Sequence, residues 1–166
     1  TIGGLLEIEA GAHTINVAAT TGLTAGGPDL DLTAQVTSSG GAITLNKTGA
    51  GKLRFSANNL YTGSTVVNAG TVQVDGVQTV SSTLVHGGAR LTGIGRVETA
   101  NFAATTGVVA PGNSAGVFET GLFNPNAVGG ILELEFNGPT AGSDYDRLRV
   151  TGSVNLTGMA LRALVN

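Results

Sequence analysis

There is no cysteine and no tryptophan in these 166 residues, and charged side chains make up only 11% of them. The missing cysteine excludes a disulfide framework and any thiolate metal site. Eight Lys and Arg against eleven Asp and Glu give a formal net charge of −3. The basic residues are scattered, so the chain lacks the clustered positive charge that neutralises nucleic-acid phosphates. No apolar run approaches the roughly 18 residues of a membrane-spanning helix, and no basic amphipathic helix suggests attachment to a membrane surface. Helical periodicity is missing as well.

What fills the space is glycine, threonine and asparagine, at 27, 22 and 12 residues. A soluble domain ordinarily carries about a quarter charged residues, so uncharged polar groups must cover this surface. Hydrophobic residues at 41% and a mean hydropathy of +0.24 still provide for a substantial core. That combination suits short β-strands with outward Thr, Ser, Asn and Gln better than helices built from Glu, Lys and Leu.

The pattern bears this out most clearly from Ile43 to Val74. Ile43 and Leu45, Leu53 and Phe55, and Val72 and Val74 stand two apart, which places each pair on one face of a pleated strand. Gly49, Gly51, Asn58, Asn59, Gly63, Asn68 and Gly70 lie between them, and these residue types tolerate turn conformations. The alternation extends to Leu6 and Ile8, Ile15 and Val17, Leu30 and Leu32, Leu132, Leu134 and Phe136, Leu148 and Val150, and Val154 and Leu156. Between them short apolar segments and corners continue through Val77 to Leu84, Leu91, Ile94 and Val97, and Val108 and Val109. Thr20 to Pro28 reads as loop and Ser38 to Gly41 as a turn. Gly70, Gly88, Gly107, Gly130 and Gly152 recur every 18 to 23 residues, the mark of a solenoid with about 20 residues per coil and roughly seven or eight coils. An antiparallel β-sandwich is the competing architecture. Residues 1–166 read as a single solenoid domain, with Phe118 to Gly130 interrupting the rhythm as a protruding loop. The inward ladder is expected to include Leu45, Leu53, Val72, Val74, Leu134 and Leu148.

The stretch LNKTGAGKLRFSANNLYTGSTVVNAGTVQV, Leu45 to Val74, closely resembles the autotransporter-associated β-strand repeat of bacterial secreted surface proteins. APGNSAG, Ala110 to Gly116, and GPTAGSDYDRLRVTGSVNL, Gly138 to Leu156, resemble segments found near the end of autotransporter passenger regions. The resemblance implies an all-β, right-handed parallel β-helix on an exported or outer-membrane protein, and it implies no catalytic residue. The chain opens at Thr1 without a signal sequence and shows no translocator barrel, which fits either a processed protein or an excerpt of a longer one.

Several stretches imitate active sites. Gly112, Ser114 and Gly116 satisfy G-x-S-x-G, but no helix pattern follows and both histidines, His13 and His86, lie upstream, so a structural turn is expected. Asp144 and Asp146 share one side of a strand and could offer two oxygens to calcium, which needs six to eight. As a glycosidase pair they would also need a cleft. Asp29 and Asp31 in GGPDLDL resemble a calcium-binding solenoid repeat only once. His13 and His86 have no second ligand at metal spacing. The sequons at Asn46 and Asn155 are short patterns. Tyr61 and Tyr145 could stack on sugar rings but sit in separate coils. No catalytic, cofactor-binding or metal residue is therefore assigned.

The reading is a non-enzymatic extracellular surface protein, a β-helical stalk or passenger segment with adhesion as an added role. The alternatives are a self-assembling extracellular filament subunit and a polysaccharide-processing β-helix enzyme, the last expected only where Asp, Arg and Lys line one coil face. Expected partners are a cell surface or glycan, or self-association. Leu5 to Ile8 and Leu161 to Val165 carry strand-like apolar residues without a capping pattern. That suggests either further coils or subunits joining by strand addition.

Overall fold

The computed structural model describes residues 1–21, 26–125 and 129–165. Among them are fourteen strands and no helix. The chain passes alternately between two seven-stranded sheets. The odd sheet holds β1 (Leu5–Asn16), β3 (Gln35–Thr48), β5 (Gly63–Val67), β7 (Val77–Val85), β9 (Arg96–Phe102), β11 (Val117–Asn124) and β13 (Arg147–Val150). The even sheet holds β2 (Leu30–Leu32), β4 (Lys52–Phe55), β6 (Thr71–Val74), β8 (Arg90–Gly93), β10 (Val108–Pro111), β12 (Gly130–Glu135) and β14 (Met159–Leu164). Every strand-to-strand ladder is parallel, which rules out the antiparallel sandwich.

Register follows the two-residue alternation. Lys52 pairs with Thr71 and Thr71 with Arg90, nineteen residues on each time, whereas Leu5 pairs with Gln35, thirty residues on. Inward positions stack like on like: Leu53 on Val72, Val72 on Leu91, and Phe55 on Val74. A shift of one residue would turn this whole row outward, so burial holds the register. Leu45, Leu53, Val72 and Val74 are buried as expected. Four phenylalanines, Phe55, Phe102, Phe118 and Phe123, supply the largest apolar bodies. Phe102 meets Phe123 edge to face at 5.7 Å, a favoured ring geometry.

The structure corrects several expectations. Phe118 to Asn124 is not loop but most of β11, because Phe118 and Phe123 are both fully buried and keep the strand on the core. Gly130 already belongs to β12, and residues 126–128 of that stretch lie outside the described residues, as do residues 22–25 of the loop expected from Thr20 to Pro28. Ser38 to Gly41 does not end a strand. β3 runs through it, with positive φ at Gly40 and Gly41. Leu134 and Leu148 are only half-buried, since they stand near the last strands of the two sheets, where fewer neighbours cover them. Ile94 is 55% exposed at a corner between sheets.

Gly63 shows why the corners demand glycine. Its φ is +114°, and a Cβ there would sit 2.0 Å from the Ile43 carbonyl oxygen of the adjacent strand. Gly88 also has positive φ, at +76°, but open space around its Cβ position. Gly63→Ala should therefore destabilise by more than the about 1–3 kcal/mol of backbone strain alone, and by more than Gly88→Ala. Urea midpoints of the two variants would decide it, and equal midpoints would contradict the steric argument.

Candidate functional site

The outer face of the even sheet carries a polar groove of about 350 Å³. Its floor is low because Thr71, Thr92 and Pro111 project little, while Lys52, Arg90, Glu133 and Glu135 rise around it and the Gly112–Ser114 turn forms a wall. Glu133 is 7% exposed and holds two cations: Arg90 Nη2 donates to its Oε1 at 2.5 Å and Arg162 Nη1 to its Oε2 at 2.9 Å. Burial pushes the Glu133 carboxyl up, but the two arginines outweigh it and hold its pKa below the ordinary value. Asp146, also lining the groove, is buried and accepts from the backbone N–H of Gly116 and of Glu135, both at 2.9 Å. Burial raises its pKa, the two amides work against that, and the charge of Glu135 adds to the rise.

Ser114 lies in this wall with φ at +151°, and it is the non-glycine residue with positive φ among those described. Its hydroxyl donates to Glu135 Oε2 at 3.4 Å. Thr92 Oγ1 donates to the Gly112 carbonyl and Gly116 N–H to Asp146, so side chains of neighbouring strands hold the turn in shape. The G-x-S-x-G stretch thus joins the groove as a bend after β10, with no helix behind it.

Other candidates from the sequence are placed apart. Asp144 accepts from Thr140 N–H at 3.0 Å, whereas Asp146 takes its donors from Gly116 and Glu135 on other segments. Asp29 accepts from the backbone N–H of Thr20 and Lys52, which lower its pKa, while Asp31 takes Ser56 Oγ at 2.5 Å and faces Arg54 at 3.6 Å. His13 Nε2 donates to the Glu9 carbonyl at 2.8 Å, and His86 sits at the corner between β7 and β8. Asn46 donates to the His13 carbonyl at 3.5 Å, and the Asn155 side chain accepts from Thr157 N–H at 2.9 Å. Tyr145 stacks on Phe136 at 6.4 Å. Tyr61 cannot meet a sugar ring: it is 1% exposed, inside the stack.

One chemical feature was not expected. Five charges scattered in the sequence, Lys52, Arg90, Glu133, Glu135 and Asp146, gather by stacking into one groove. Arg90 and Glu133 are 43 residues apart and meet only because β8, β10 and β12 are neighbours.

The span from Leu45 to Val74 runs from the end of β3 through β4 and β5 to the end of β6, contributing two strands to each sheet. Residues 45–74 match the family model described as passenger-associated-transport-repeat. This segment is a passenger-associated transport repeat. Over 72 residues the chain is 43% identical to an extracellular serine protease of Serratia marcescens, a stretch that is 43% of this chain and 7% of that protein. The chain therefore spans only a small part of that relative's length. No solved structure matches.

Within the repeat, two inward polar residues organise the stack. Lys47 is 1% exposed, and its Nζ donates to the carbonyls of Thr48, Gly49 and Ala69 at 3.0, 2.8 and 3.0 Å, stitching the corner of one turn to the next. Sequence reasoning passed over it, although it shares the phase of Ile43 and Leu45 and was thereby marked as inward. Tyr61 OH meets Thr65 Oγ1 and donates to Gln78 Oε1 at 3.2 Å.

Burial raises the Tyr61 pKa, with the hydroxyls of Thr65 and Ser81 opposing. A raised pKa means that the folded state resists losing the proton. The stability tied to it is complete below the ordinary value of 10.0 and is lost as pH rises beyond it. Tyr61→Phe should be somewhat less stable than the wild type at pH 8 but lose less stability between pH ~9 and ~11. Urea unfolding at the two pH values would measure this, and parallel losses in both proteins would refute it.

Proposed function

We propose that this chain is a structural passenger segment at a bacterial cell surface, a right-handed β-helix of about 20 residues per coil that carries or spaces other parts and catalyses nothing itself. The observation that carries the reading is the transport repeat at residues 45–74, whose strands continue in parallel register into the strands on both sides. The similarity to an extracellular protease supports an extracellular or surface location. A structural role accounts for glycine corners and like-on-like stacking, because each coil then repeats the same mechanical task.

The test is the excision of one coil, residues 71–89, which rejoins positions that already occupy equivalent register sites. The shortened chain should fold and its solution-scattering length should fall by about 4.8 Å, one strand spacing. On intact source cells, an antibody to the segment should bind without permeabilisation. An unfolded deletion variant, or an antigen reached only after lysis, would defeat the proposal.

The groove favours one second reading, polysaccharide processing, because Lys52, Arg90, Glu133, Glu135 and Asp146 line a single face. Glu133 is committed to two arginines and Asp146 to two backbone amides, which leaves Glu135 as the groove carboxylate to test. Turnover of acidic polysaccharides that disappears in Glu135→Gln would establish this reading over the first. Labelling of Ser114 by a fluorophosphonate probe would establish a serine hydrolase instead; no labelling is expected.

A further inference from the structure

Asn137 and Gly138 form the one Asn-Gly pair of this sequence. Both are exposed, in a hairpin that leaves the even sheet after β12 and returns to the odd sheet at β13. Phe136 and Tyr145 pair antiparallel at its base, and Asn137 N–H donates to the Asp144 carbonyl at 2.7 Å. Glu135 and Asp146, which flank this hairpin, both line the groove. The backbone N–H of Gly138 donates to no group among the described residues. Other asparagines lack such a neighbour. The N–H groups that follow Asn16, Asn58 and Asn59 are committed: Val17 donates to the Thr48 carbonyl, Asn59 to Val77 and Leu60 to Val36. Asn124 precedes Pro125, which has no N–H. Asn68, Asn113 and Asn155 are followed by Ala69, Ser114 and Leu156, residues with side chains, and Asn113 also donates its side-chain amide to Asp75 Oδ1 at 3.1 Å. Even the Asp-Gly pair at Asp75 and Gly76 is held, with Gly76 N–H on the Phe55 carbonyl at 3.2 Å.

We propose that Asn137 is a self-modification site, which converts in the folded protein, without an enzyme, to aspartate and isoaspartate. The Gly138 nitrogen, having given its proton to water, attacks Asn137 Cγ. The N–Cγ bond forms and the Cγ–Nδ2 bond breaks, so the side-chain nitrogen takes up a proton from water and leaves as ammonia, and a succinimide ring remains. Water then opens the ring. Addition at Cγ gives aspartate, whereas addition at the main-chain carbonyl gives isoaspartate, whose backbone runs through Cβ and Cγ and is one carbon longer. Glycine at the second position favours ring closure, because it has no Cβ to crowd the attacking nitrogen and its backbone turns freely. Either product sets a new carboxylate beside Asp144, whose Oδ2 lies 3.1 Å from the place a Gly138 Cβ would occupy, and like charges at that distance repel. Isoaspartate also lengthens a hairpin that the Asn137 to Asp144 bond closes. The connection between two groove carboxylates thus carries a slow, irreversible switch. This goes beyond the surface-stalk reading and stands or falls separately from it.

The experiment is peptide mapping by mass spectrometry on the 166-residue chain, aged without denaturant in mildly alkaline buffer. The peptide that holds Asn137 should change from amide to acid before any other asparagine peptide does. It should split into two acid forms, one of them a substrate for protein isoaspartyl methyltransferase. Conversion should quicken as pH is raised, since the attacking nitrogen must shed its proton. Gly138→Ala, checked for folding by circular dichroism, should slow the conversion roughly tenfold or more. The order of conversion in the wild type decides the proposal even where that variant does not fold. An Asn137 that keeps its amide while Asn113 or Asn155 converts, conversion that occurs only in urea, or a folded Gly138→Ala that ages at the wild-type rate would each overturn it.

Discussion

Val74→Asp should unfold the protein or lower its stability by about 4 kcal/mol or more. Val74 is fully buried, pairs with Phe55 in the even sheet, and gives its carbonyl to Gly95 N–H at 2.9 Å. An aspartate there would point its carboxylate into a row of Phe55 and its aliphatic neighbours, where no donor waits, and an unpaired buried charge is among the costliest single substitutions. Val74→Ala tests the same site without the charge and should lose only about 1–3 kcal/mol, the transfer and cavity terms of a smaller side chain. Thermal or urea unfolding monitored by circular dichroism measures both. A Val74→Asp variant with the wild-type midpoint would show that this face is not the interior.

Lys47→Met should cost about 3 kcal/mol, even though methionine matches the lysine stem in length and is more apolar. The ammonium serves three backbone carbonyls at the corners of adjacent turns. Removing it leaves buried acceptors short of a donor, each a loss of about 1–3 kcal/mol where nothing replaces it. Lys52 provides the control. It is only half-buried, and its Nζ reaches the Gly26 carbonyl, so Lys52→Met should change stability by less than about 1 kcal/mol. Equal losses at the two lysines would remove the argument from burial.

The pH dependence of that difference has a defined sign. Burial holds the Lys47 pKa below its ordinary 10.5, with the charge of Asp29 opposing. A lowered pKa penalises the protonated amine in the folded state, so the associated stability is present above 10.5 and is lost as pH falls through the lowered value. The margin of wild type over Lys47→Met should therefore widen as pH is raised toward 10.5. The Tyr61 effect is common to both proteins and drops out of the comparison.

The location of the groove and the fate of the expected loop follow from contacts that no local pattern encodes. Phe118 to Asn124 sits next to residues typical of a break, Gly121, Asn124 and Pro125, yet Phe118 and Phe123 find buried places and draw the segment into a strand. Glu133 alternates with Leu132 and Leu134 and reads as an outward, solvated glutamate. Two arginines from other strands cover it, and it is more buried than either leucine.

Strand identity and the inward face were set by the sequence alone through the spacing of apolar residues, because a pleated strand turns every second side chain to the same side. Leu45, Leu53, Val72 and Val74 needed nothing more. The glycine corners were legible for the same local reason, since Gly63 and Gly70 occupy positive φ that other residues adopt at a cost. Parallel pairing was expected only through the family resemblance, whereas the meeting of Arg90 with Glu133, the buried ammonium of Lys47 and the enclosure of Tyr61 came only with the tertiary structure. Each depends on which strands become neighbours, and that choice is made by the summed burial of whole rows rather than by any residue's own neighbours in the chain.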